Sequence, residues 1–70
     1  MSRMDPWEKA AECARAIDAT SDPEKRKFLT HLQALWTNLA NEAPFLADAT
    51  LADQFTAIDR IHADVTRLAH

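Results

Sequence analysis

Cys13, His31, His62 and His70 are all the thiol and imidazole groups in this chain of 70 residues. Nucleophilic, acid–base or metal chemistry would need them grouped with one another or with carboxylates. Asp59 precedes His62 by three residues, a spacing that sets a carboxylate and an imidazole on one helix face. Two mixed ligands fall short of the three or four of a zinc site, so the pair reads as a surface hydrogen bond. Cys13 has no histidine near it in sequence to take its proton, and it reads as a small buried hydrophobe. HExxH and GxSxG are absent, and without a single glycine the usual phosphate-cradling loop cannot form. No catalytic residue, metal site, cofactor or small-molecule substrate is expected, and the chain reads as a non-enzyme.

Lys25, Arg26 and Lys27 raise a different possibility, an anion or nucleic-acid contact. They fall in the first turn of a predicted helix, where the backbone dipole favours acids over bases. Successive helical residues point about 100° apart, so three in a row fan around the axis instead of forming a face. Lys25, a heptad before Leu32, is expected to snorkel at the end of the apolar stripe. Only Arg26 and Lys27 are expected to point clearly outward, with Asp18, Asp22 and Glu24 near enough in sequence to offset them. A formal net charge of −3 does not suit a generic nucleic-acid binder. The cations are therefore read as a solvated helix end.

The stretch that follows, FLTHLQALWTNLAN at residues 28–41, has no formally charged side chain unless His31 is protonated. An exposed helix face is normally laced with charges, and their depletion is a compositional mark of an interface centre. Its non-core face carries Thr30, Gln33, Thr37 and Asn41, flanked by His31, Ala34 and Asn38. Either this helix is central, covered by its neighbours, or the Thr30–Gln33–Thr37–Asn41 side meets another chain. Trp7, in a first helical turn, either closes the end of the bundle or anchors a partner.

Three helices must position these groups. Asp5-Pro6-Trp7-Glu8 offers an aspartate N-cap with proline at the first helical position, and Asp22-Pro23 repeats the device. Ser21 with Glu24 is the alternative cap. The helices are predicted at about 6–19, 23–42 and 50–68, the second ended by Pro44 and the third opened by a Thr50–Asp53 capping box. The predicted stripes are Trp7, Ala10, Ala14 and Ile17, with Ala11 and Cys13 at the edges; then Leu29, Leu32, Trp36 and Leu39, widened by Phe28 and Leu35; then Leu51, Ile58, Ile61, Val65 and Leu68, with Phe55 beside them. Phe45 and Leu46 are expected to tuck under the bundle. A helix beginning at Pro44 is the alternative.

These elements define an all-α, single-domain, three-helix bundle over residues 1–70. The short link at residues 20–22 makes the first two helices an antiparallel hairpin with the third packed against it. Fourteen alanines and no glycine favour helix throughout. A chain this short is marginal on its own core, and a lone cysteine rules out an intrachain staple. The N-terminal stretch lacks a secretory pattern, and no run spans a bilayer, so a soluble cytoplasmic protein is expected.

DPWEKAAECARAI, DPEKRKFLTHLQALWTNLANE and the closing DRIHADV together resemble short uncharacterised helical proteins of soil alphaproteobacteria. The most telling pieces are residues 7–13 and Leu35-Trp36 with residues 39–42. That resemblance implies a bacterial, cytoplasmic, helical protein and no activity for any residue. The expected function is a helical interaction module that self-associates as a homodimer or docks a partner protein. The alternative is a small nucleic-acid-binding regulator in which a dimer collects two Lys25-Arg26-Lys27 ends.

Overall fold

The computed structural model describes residues 5–68, with the backbone alone at Thr66 and Leu68. His70 and the side chain of Leu68 lie outside the described residues. The chain forms α1 (Pro6–Ala19), α2 (Pro23–Glu42), a 3-10 turn (Ala43–Phe45) and α3 (Asp48–Leu68). An Asp-Pro pair opens each of the first two helices. The Asp5 carboxylate accepts from the Trp7 N–H, and that of Asp22 from the Glu24 N–H, each at 3.0 Å. Asp22 rather than Ser21 is thus the cap of α2. The link between them is pinned as well, because the Thr20 hydroxyl accepts from the Asp22 N–H at 3.3 Å. α1 and α2 form the expected hairpin and share the most extensive interface, while α3 packs on α2.

α2 ends two residues before Pro44, and the chain tightens into the 3-10 turn, where the Leu46 N–H donates to the Ala43 carbonyl at 3.2 Å. α3 begins two residues earlier than predicted. The Leu51 N–H donates to the Ala47 carbonyl at 2.9 Å, so Ala47 is the capping position and Thr50 lies inside the helix. The Thr50–Asp53 capping box is therefore corrected. Asp48 supplies a first-turn carboxylate that suits the dipole, but Ala47 has no side-chain oxygen to announce the boundary.

The core centres on α2. Trp36, Leu32 and Cys13 are fully buried, with Leu29, Leu39, Ala10, Phe55 and Val65 around them. The predicted α2 stripe is buried throughout, although Phe28 at its margin is exposed.

The α1 stripe is turned by one residue. Pro6, Ala10 and Cys13 face inward, Ala14 and Ile17 are half-buried, and Trp7 is 54% exposed. Two lines fit a helix here and share Ala10 and Ile17. The one through Pro6 and Cys13 brings small groups against α2.

On α3 the inward line runs through Leu51, Phe55, Ile58, His62 and Val65. Ile61, predicted as core, is 47% exposed, because His62 occupies the inward position one residue along. Phe55 meets the Trp36 ring with centroids 4.8 Å apart at 57°, the tilted contact that aromatic quadrupoles favour. Leu46 packs against the core as expected, but Phe45 is 87% exposed. The 3-10 turn ends between them, and only Leu46 reaches the bundle. No helix among the described residues is long and apolar enough to cross a membrane.

Candidate interaction surface

At about 100° per residue, Lys27, His31, Ala34, Asn38 and Asn41 fall on one line of α2, opposite Leu32 and Trp36. All five are exposed. Thr30 and Glu42, also exposed, border that line. α1 and α3 cover the inner side of α2 and leave this outer side open. Its middle has no formal charge except a protonated His31.

The structure divides the predicted face. Thr30 and Asn41 are exposed, whereas Gln33 and Thr37 are half-buried on its flank. The centre of the open side is Ala34 and Asn38, which the sequence placed as flanking residues. A helical projection centred opposite Trp36 was the signal that could have found them. The threonine hydroxyls are already satisfied: Thr30 donates to the Arg26 carbonyl at 2.7 Å and Thr37 to the Gln33 carbonyl at 2.8 Å. Covering them strands no donor, which lowers the cost of burying this polar surface.

Large apolar side chains are also exposed near this helix. Phe28 is on α2 itself, and an open groove of about 580 Å³ is lined by Phe28, Lys27, His31, Ala34, Glu24 and Thr30. Phe45 stands just past the other end of α2. Trp7 keeps about half its surface open, as a first-turn position allows. Phe45 was missed because the burial of a turn residue depends on the geometry of the turn.

The three cations divide as the helix geometry requires. Lys25 is half-buried, and Arg26 and Lys27 are exposed, so α2 presents two outward cations at this end.

The remaining polar groups hold the bundle together. The Trp36 indole N–H donates to Nδ1 of His62 at 3.2 Å, so His62 is built into the α2–α3 contact. Asp59, expected beside His62, instead takes Lys9 of α1 at 3.2 Å, and Glu12 lies 3.7 Å from the same ammonium. Burial alone would lower the Lys9 pKa, but the hydrogen bond to Asp59 and the charges of Glu12 and Asp59 outweigh it, and the net shift is upward. Burial pushes the Cys13 thiol up, helped by the Glu12 carboxylate and opposed by Lys9. That environment favours the neutral thiol over the nucleophilic thiolate. Among the described residues no three His, Cys, Asp or Glu side chains are grouped as metal ligands. No family model, curated protein or solved structure matches the chain.

Proposed function

We propose that this protein is a non-enzymatic helical interaction module that self-associates through the outer side of α2. The carrying observation is the open line from Lys27 to Asn41, exposed in the single chain yet free of formal charge between its ends. A central position in the bundle accounts for Leu32 and Trp36, but not for an uncharged outer side. Closed two-fold pairing is the commonest use of such a surface, and a chain this short gains stability from it. A cytoplasmic setting suits the lone thiol of Cys13, which needs no oxidising compartment.

Sedimentation equilibrium on the wild type and on an Ala34→Glu, Asn38→Glu variant tests this reading. The wild type is expected to form a dimer, and the variant, with like charges facing each other across the interface, a monomer of unchanged helicity. A wild type that remains monomeric at high concentration overturns it. Tight, steeply salt-dependent binding of the wild type to duplex DNA would favour phosphate recognition by Arg26 and Lys27 instead.

A further inference from the structure

The open side of α2 is neutral along its middle and oppositely charged at its two ends. Arg26 and Lys27 are exposed at the N-terminal end, and Glu42 at the C-terminal end. Immediately beyond Glu42, Phe45 is the most exposed of the large apolar side chains among the described residues, at 87%. At the opposite end lies the groove that Phe28 lines with Glu24, Lys27, Thr30, His31 and Ala34. One end of the helix thus offers an aromatic group and an acid, and the other a largely apolar groove where the bases Arg26 and Lys27 outnumber the acid Glu24. Such a surface is complementary to itself when reversed, and a two-fold axis satisfies both ends at once.

On the strength of the self-association proposed above, we infer that a second copy of this chain lies antiparallel across α2. The axis crosses between Ala34 and Asn38, and Phe45 of each copy fills the groove beside Phe28 of the other.

The spacing along the helix supports this register. At about 1.5 Å per residue, Phe28 lies about 12 Å on one side of the axis and Glu42 about 9 Å on the other. Phe45 is three residues further along a 3-10 turn rising about 2 Å per residue, which brings it to about 15 Å. An antiparallel copy therefore sets Phe45 level with Lys27 and Phe28, and Glu42 within reach of the long Lys27 side chain. Ala34 faces Asn38 at the crossing, where a methyl group allows close approach, and His31 comes level with Asn41. The middle of the contact has amide and hydroxyl groups to desolvate, while the charges stay at the rim, where water reaches them.

The test compares dimer dissociation constants from sedimentation equilibrium for the wild type, Phe45→Ala, Lys27→Glu, Glu42→Lys and the Lys27→Glu, Glu42→Lys double variant, with far-UV circular dichroism as a folding control. Phe45→Ala is expected to weaken the dimer at least tenfold with unchanged helicity, because the side chain makes little contact within its own chain. Each single charge reversal is expected to weaken it several-fold, and the double reversal to restore it. A dimer that ignores Phe45→Ala and is not rescued by the double reversal overturns this register while leaving self-association intact. Charge reversals that leave the dissociation constant unchanged, singly and together, point to a parallel arrangement, in which each end meets its like, and overturn it as well. A wild type that is monomeric throughout overturns both the register and the self-association on which it rests.

Discussion

The indole N–H of Trp36 donates to Nδ1 of His62 at 3.2 Å, joining α2 to α3 at the centre of the bundle. Trp36 is fully buried, and indole can only donate. His62 must therefore present an unprotonated Nδ1 and carry its ring proton on Nε2. His62→Phe keeps the bulk and removes the acceptor, leaving a buried N–H unsatisfied at a cost of about 1–3 kcal/mol. His62→Gln supplies an amide oxygen and is expected to lose less. Urea denaturation followed by tryptophan fluorescence ranks the two, and equal losses would show that the hydrogen bond contributes little.

Leu32 is fully buried, at 1% exposure. Leu32→Ala removes its contacts and leaves a cavity, at about 2–5 kcal/mol, enough to leave so small a chain mostly unfolded. Circular dichroism against temperature reads this directly. A cooperative transition at the wild-type midpoint would refute the core assignment.

Cys13 is packed as a hydrophobe rather than displayed as a nucleophile. Thiol-reactive dye is expected to label the native protein slowly and the urea-unfolded protein fast. Cys13→Ala is expected to be tolerated better than Cys13→Ser, which buries a hydroxyl in an apolar site at about 1–3 kcal/mol. Fast labelling of the folded chain would contradict the burial.

The Lys9–Asp59 ion pair ties α1 to α3. Lys9 is partly exposed and Asp59 about half so, which limits their coupling to below about 1 kcal/mol in a double-mutant cycle. The Lys9 pKa is raised above its ordinary 10.5. Its contribution is therefore complete below that value and fades as pH rises through the higher folded-state value. Alkaline titration of the melting temperature in wild type and Asp59→Asn should converge only at high pH. A gap that persists there would assign the effect to packing.

Ala47 stands at the N-cap of α3 with no side-chain acceptor. Ala47→Asp is expected to raise stability by about 1 kcal/mol, by capping and by its charge near the helix dipole. An unchanged or lower melting temperature would mean that α3 starts elsewhere.

What could be read ahead of the structure was local or strongly periodic. Asp5-Pro6 and Asp22-Pro23 cap through neighbouring backbone groups, so their effect is written in four residues. α2 ends two residues before Pro44, which has no N–H to extend the ladder, although Ala43 before it keeps a helical backbone. Leu29, Leu32, Trp36 and Leu39 leave one choice of face. The start of α3 was hidden because alanine caps without a signature. In α1 two stripes share Ala10 and Ile17. The bulk of Trp7 favoured one, while close packing of small groups against α2 selected the other. In α3 a count of apolar residues favours Ile61 over His62, and only the indole of Trp36, 26 positions away in the chain, reverses that preference. The outer side of α2 was visible as missing charge, but its centre at Ala34 and Asn38 emerged once α1 and α3 were seen to cover the other side.

The most direct test of self-association through α2 is the melting temperature of the wild type measured across a hundredfold range of protein concentration. A folded dimer in equilibrium with unfolded chains gains stability by mass action. The midpoint is therefore expected to climb steadily with concentration, and the slope to vanish in the Ala34→Glu, Asn38→Glu variant. A wild-type midpoint that stays fixed across the whole range would contradict self-association.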